Sequence, residues 1–238
     1  MAKVIGIAGE SGSGKTTAMR TLDPKITFYI DADKKGLSWK KWREQYCAKN
    51  KNYISTDDPQ RVLELLYKVN MDEIKLKDLC KKNQREYSPM TNENKKQMKM
   101  FKVVVIDTLN GIMVGQEMRN IHVNGFGKWS DLAEYVWDIV DYSLTMRQDL
   151  TVIILCHAET ISDENGVVFT HIKTNGRKLE RLVLESKMTT VLYAKNTDDG
   201  YKFFTSLKNS TCKTPLGSFK DSTIPNDISL VLKALEDY

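Results

Sequence analysis

The sequence predicts an α/β fold: a mostly parallel central sheet with helices on both faces and a C-terminal β-hairpin. Three observations predict it. Apolar runs of strand length stand within 3–8, at 103–106 and at 152–156, as expected of strands covered on both faces. Amphipathic segments of helical period separate them. The last third then changes period, and two alternating segments, 191–194 and 201–204, flank Asp199-Gly200, a hairpin signal.

The elements follow in order. Residues 3–8 read as a short buried strand, residues 9–14 as a glycine loop, and a helix then runs to about Leu22, where Asp23-Pro24 ends it. Residues 26–31 form a second strand. Trp39, Trp42 and Tyr46 recur at i, i+3 and i+7, which predicts a helix over 37–50. Residues 53–55 make a third short strand. Asp57-Asp58-Pro59 starts a helix that turns Val62, Leu65, Leu66 and Val69 inward. Residues 70–100 are lysine-rich and read as a partly helical insertion around a mobile loop. The strand 101–107 ends in an acid, residues 130–147 form an amphipathic helix, and residues 151–156 form another buried strand. A short helix occupies 226–238.

The chain has 238 residues, enough for one domain, 1–238, carrying that insertion. Its longest apolar runs are strand-sized, well below the roughly 20 residues a membrane helix needs, so no membrane partner is expected. A glycine loop begins by residue 9, where the apolar core of a signal peptide would have to continue. Cys47, Cys80, Cys156 and Cys212 show no paired or zinc-like spacing, as expected of reduced thiols in a cytoplasmic protein. The net charge of +5 is compatible with an anionic partner without requiring one.

Gly9-Glu10-Ser11-Gly12-Ser13-Gly14-Lys15-Thr16, followed by Thr17, fits G-x-x-x-x-G-K-[ST] between a strand and a helix. Glycines let the backbone curl so that successive N–H groups cradle phosphate oxygens. Lys15 is expected to reach the outer phosphates and the Thr16 hydroxyl to bind Mg²⁺. The run Val103-Val104-Val105-Ile106-Asp107 supplies the second part: an apolar strand, expected next to the phosphate loop's own strand, whose terminal Asp107 holds Mg²⁺. ATP and Mg²⁺ are the expected cofactors.

With these residues the chain resembles the RecA-type ATPases. Phe28-Tyr29-Ile30-Asp31-Ala32-Asp33 is similar to the strand in which Phe-Ile-Asp-Ala-Glu supplies the water-activating acid. Ile106-Asp107-Thr108-Leu109 resembles the magnesium strand with its following hydroxyl residue. Residues 152–157 resemble the strand that ends in a nucleotide-sensing polar group. Lys208-Asn209 and Lys213-Thr214-Pro215 resemble the segment that reaches a neighbouring nucleotide. The match runs in order from about 3 to 220 and is nearest to compact phage-encoded ATPases of the annealing and recombination type.

The resemblance implies an ATPase of RecA-like fold that assembles as a ring or filament, in a bacterial host's cytoplasm if phage-encoded. It implies Asp33 as the catalytic acid, one methylene shorter than the family's glutamate, hence slow hydrolysis. Asp31 is the rival, since strand alternation puts both acids on one side. It implies His157 as the γ-phosphate sensor and Lys208 and Lys213 as contacts in trans. It also implies single-stranded DNA binding by two loops, 109–130 and 158–180. Arg119, Phe126, Lys128 and Trp129 in the first, and Lys173, Arg177, Lys178 and Arg181 in the second, mix cations with aromatics as backbone tracking and base stacking require. A P-loop nucleotide or small-molecule kinase, with Arg177 and Arg181 as a lid, and an ATP-switched binding module that does not hydrolyse are the alternatives.

Overall fold

A computed structural model of the chain describes residues 1–125, 127–162, 164, 166, 168–176, 179 and 181–238. Three of the expected DNA-contacting residues, Phe126, Arg177 and Lys178, lie outside the described residues.

The strands are β1 (Lys3–Gly9), β2 (Thr27–Asp31), β3 (Tyr53–Ser55), β4 (Val103–Asp107), β5 (Thr151–Ser162), β6 (Val168–Ile172), β7 (Thr190–Thr197), β8 (Gly200–Phe204) and β9 (Thr223–Pro225). They form one sheet in the order β3-β2-β4-β5-β1-β7-β8-β9, with β6 paired to β5. The six strands from β3 to β7 along that order run parallel. β8 and β9 add antiparallel beyond β7. The hairpin turn is Asp198-Asp199, one residue earlier than expected, and Gly200 opens β8 in the left-handed region (φ 94°).

Alternation along the parallel strands builds two cores. On one face Phe28, Ile30, Val104, Ile106, Val152 and Ile154 pack with α3 (Pro59–Asn70), α6 (Leu109–Arg119) and α7 (Gly127–Thr145). On the other, Ile5, Ile7, Tyr29, Val105, Ile153 and Leu155 pack with Ala18 of α1 (Lys15–Ala18) and with α8 (Ile228–Ala234) through Ile228 and Val231. Leu66, on α3, is fully buried against the first face. Leu66→Ala is expected to cost about 2–5 kcal/mol, read as a lower urea midpoint at unchanged slope.

Several expectations from the sequence are corrected. β4 does not neighbour β1: β5 stands between them, pairing Lys3 and Val103 alike with Thr151. The apolar runs of all three strands are buried, so apolar character alone does not say which of them stands in the middle. The first helix is a single α turn that tightens to 3₁₀ over Met19–Thr21, just before Asp23-Pro24. Residues 37–50 hold only the one-turn α2 (Trp42–Gln45) and a 3₁₀ turn at Ala48–Asn50. There the Asn52 carboxamide captures the Gln45 carbonyl and the Cys47 N–H, which diverts backbone groups a longer helix would use.

The lysine-rich segment is mostly helical: α4 (Glu73–Lys82), capped by Asp72, and α5 (Asn92–Met100), capped by Thr91, flank an irregular stretch. Two of its cations pair with acids, Lys82 with Glu134 and Lys95 with Glu73. The two expected DNA loops are also largely regular. α6 and the start of α7 occupy most of 109–130. In 158–180, β5 continues to Ser162 and turns back antiparallel as β6. Apolar-polar mixing along that arm reads as a loop in one dimension and as an exposed two-stranded ribbon in three. Among the described residues no helix is long and apolar enough to cross a membrane.

Candidate functional site

The C-terminal ends of β1, β4, β5 and β2 meet at one edge of the sheet, and the expected site residues gather there. The glycine loop leaves β1 at Gly9 and enters α1 at Lys15, with Gly12 and Gly14 in the left-handed region (φ 78° and 89°). Lys15 is buried. Its Nζ donates to the Gly9 and Glu10 carbonyls, 2.7 Å each, and reaches Ser13 Oγ at 3.4 Å. Burial pulls its pKa down to about 8, against the attraction of Asp107. A lysine held on its own loop carbonyls is a cation stored in place, available to an anion that enters the cradle.

Asp107, at the end of β4, is buried. Tyr29 from neighbouring β2 donates its hydroxyl to Oδ2 at 2.6 Å. Burial raises the Asp107 carboxyl above its ordinary value, while the Tyr29 and Thr16 hydroxyls beside it act the other way. The same environment pushes the Tyr29 phenol far up, by burial first and then by the Asp107 charge. Asp107 Oδ1 is buried with no hydrogen-bond partner. An orphaned carboxylate oxygen beside the Thr16 hydroxyl is a hard-oxygen donor set, and it fits Mg²⁺.

The two rival acids have different surroundings. Asp31 is buried, and its Oδ2 accepts from the Tyr53 hydroxyl (2.7 Å) and the Gly36 N–H (2.8 Å). Asp33 lies past the end of β2 on the wall of an open cavity of about 830 Å³, shared with Ser11, Lys35, Asn110 and His157. Its Oδ1 accepts from Thr108 Oγ1 at 2.8 Å, and its Oδ2 pairs with Lys35 Nζ at 2.5 Å. Burial opposes the Asp33 charge, but the Lys35 and Thr108 hydrogen bonds outweigh it and hold the carboxyl below its ordinary range. Alternation breaks down here because the chain leaves strand geometry at Asp31.

His157 is where the buried half of β5 gives way to its exposed half. Burial and then the Lys15 charge depress its pKa, which favours the neutral ring. Its backbone N–H donates to Asn110 Oδ1 (2.7 Å), and its carbonyl accepts from the Lys173 N–H (2.8 Å). Asn110 Nδ2 donates in turn to the Lys173 carbonyl (2.9 Å). One carboxamide on α6 therefore joins the end of the buried strand to the base of the β5–β6 arm.

Sequence reasoning missed Asn110, Tyr29, Lys35 and Gly111, and read Thr108 only as the hydroxyl residue that follows the magnesium strand. Thr108 caps α6 by accepting from the Gly111 N–H (3.0 Å) while donating to Asp33. At Gly111 a Cβ would lie 2.5 Å from Asp33 Oδ1, so glycine alone lets the acid seat against the helix. A hydroxyl and a glycine placed three apart after Asp107 were the available signal.

The more distant expected residues have partners of their own. Arg119, ending α6, donates to the Asp57 carboxylate and carbonyl, 2.8 Å each. Lys128 lies over the Trp129 ring at 5.7 Å. Trp129 packs on the first core, close against Gly176. Lys173, Arg181 and Lys208 are exposed, and Lys213 exchanges backbone hydrogen bonds with Val191 of β7.

Compared with known proteins, the chain matches the AAA domain over residues 1–214. No curated protein matches it. The match spans every strand from β1 to β8 and every residue of the cavity wall described above, and its members are nucleotide-binding ATPases built on a phosphate loop. By this match over most of its length, the chain belongs to the AAA domain family.

Proposed function

We propose that the chain is an ATP-hydrolysing, single-stranded-DNA-binding protein of the compact phage type, acting in annealing, recombination or replication as a ring or filament. The observation that carries this reading is the continuity of β5. One strand runs from His157, on the nucleotide cavity, into an exposed ribbon bearing Ile161, Phe169 and Lys173. A rigid strand with its base clamped by Asn110 can pass a change at the phosphates to that ribbon.

In this reading the loop N–H groups and Lys15 bind the phosphates. Mg²⁺, held by Asp107 and Thr16, supplies charge neutralisation on the outer phosphates. Asp33 orients a water and takes its proton as the water oxygen bonds to the γ-phosphorus. The bond from that phosphorus to the β-phosphate oxygen breaks, and ADP leaves. His157, kept neutral, senses the terminal phosphate. Lys208 and Lys213 reach the nucleotide of a neighbouring copy. Arg119, Phe126, Lys128, Trp129, Lys173, Arg177, Lys178 and Arg181 form the DNA surface, with Arg119 first released from Asp57.

The test is anisotropy of a labelled oligonucleotide with the full chain, with and without ATP and Mg²⁺, across a salt series. The reading expects binding that ATP strengthens and salt weakens steeply. Binding that is absent in every nucleotide state sinks the DNA role and leaves the ATPase site. The roomy cavity in front of Asp33 then favours a kinase, tested by a screen of phosphoryl acceptors.

A further inference from the structure

The segment after Asp33 does something that no motif describes. Three cations, Lys34, Lys35 and Arg119, line the cavity in front of the phosphate loop. Lys34 and Arg119 both bind Asp57, each at 2.8 Å. Lys35 is turned the other way, onto Asp33. The turn that aims it is built rather than incidental. Lys34 and Gly36 both take left-handed backbone (φ 57° and 77°) on either side of Lys35. The Gly36 N–H is fixed by buried Asp31, which the Tyr53 hydroxyl holds in place. A Cβ at Gly36 would lie 2.7 Å from the Trp42 ring, so the bend needs glycine there twice over. Asp31, the rival acid of the sequence reading, thus serves as the anchor of this turn.

Both oxygens of Asp33 are engaged, one by Thr108 and the other by Lys35. A carboxylate held in that way has its charge paired and its basicity lowered, which weakens it as a proton acceptor. The Lys35 ammonium is half exposed, and an ion pair of that kind is weakly held. Its charge is also felt by Lys15, Asp107 and His157, the groups that surround the terminal phosphate in the reading above. A terminal phosphate carries more negative charge and more acceptor oxygens than one carboxylate, so it competes well for the same ammonium.

We propose that Lys35 is a terminal-phosphate sensor acting within its own subunit: its ammonium pairs with Asp33 when no terminal phosphate competes for it and passes to the terminal phosphate of a bound nucleoside triphosphate, which unpairs the Asp33 carboxylate. The proposal rests on the reading of Lys15 and Asp33 given above. It makes Asp33 available only when a triphosphate is present. A diphosphate, lacking the terminal group, leaves the Lys35–Asp33 pair closed.

The test measures affinities of the full chain for ATP and ADP, each with a fluorescent ribose label and Mg²⁺, for the wild type, Lys35→Met, Lys35→Arg and Lys15→Ala. Lys35→Met is expected to weaken ATP by roughly tenfold or more, the scale of a charge-assisted contact, and to leave ADP within about twofold. Lys35→Arg keeps the cation and is expected to restore most of the preference for ATP. An ATP-to-ADP ratio unchanged in Lys35→Met, or equal weakening of both nucleotides, overturns the proposal while leaving the phosphate-loop reading intact. Wild type that binds neither nucleotide, or Lys15→Ala that binds both as wild type does, overturns the underlying reading and the proposal with it.

Discussion

Lys15→Ala is expected to lose ATP binding while the protein stays folded. The Lys15 ammonium is buried and bound to two carbonyls of its own loop. Truncating one member of a buried charged contact costs about 2–5 kcal/mol, which is roughly 30-fold to several thousandfold in affinity. The loss falls on the complex rather than on the fold, since the displaced Gly9 and Glu10 carbonyls lie at a loop that water can reach. A thermal shift experiment separates the two. The wild type should gain stability with rising ATP and Mg²⁺, because a ligand that binds only the native state stabilises by mass action. Lys15→Ala should melt near the unliganded wild type and show no such gain. A full ATP-dependent shift in the variant would exclude Lys15 from phosphate binding.

Asp33→Asn carries the second large effect. Removing a general base costs about 10²–10⁴ in rate, so turnover should fall by that factor with KM changed by less than about threefold. The seat explains why binding survives: the asparagine oxygen still accepts from Thr108, while the proton acceptor and the ion pair with Lys35 are lost. Asp31→Asn is the control. Asp31 is buried and accepts from two donors, Tyr53 and Gly36, so its amide variant should lower stability through a mispaired buried group rather than remove the base. Asp33→Asn with wild-type kcat, alongside a folded but inactive Asp31→Asn, would move the base to Asp31. The short Asp33 side chain is also matched to its surroundings. Thr108 and the bare Cα of Gly111 bring helix α6 up to the carboxylate, which offsets part of the missing methylene.

The phosphate loop was legible because its chemistry is local. Glycines, a lysine and a hydroxyl at fixed spacing specify a backbone curl within eight residues, and the flanking apolar strand needs no distant partner to be recognised. The parallel sheet was legible for a related reason: strands covered on both faces must be apolar throughout, and 103–107 and 151–156 read that way. The hairpin of β7 and β8 declared itself by its turn, to within one residue.

What only the tertiary structure decided were relations between distant segments. The sequence order of β1, β4 and β5 says nothing of which is central, and their equal burial does not either; the parallel pairing of β5 with both decides it. The β5–β6 ribbon looked like loop because exposed strand pairing leaves little periodic signal on either face. The two candidate acids were inseparable by alternation, since they stand two positions apart and the end of the strand at Asp31 was not legible. Their roles diverge through partners 22 and 75 positions away, Tyr53 for Asp31 and Thr108 for Asp33. Lys35 reads in the sequence as one lysine among many; a left-handed turn anchored by a buried carboxylate makes it face the site. Local chemistry is written in neighbouring residues, whereas the direction of a side chain is set by packing and hydrogen bonds that close only when the chain folds.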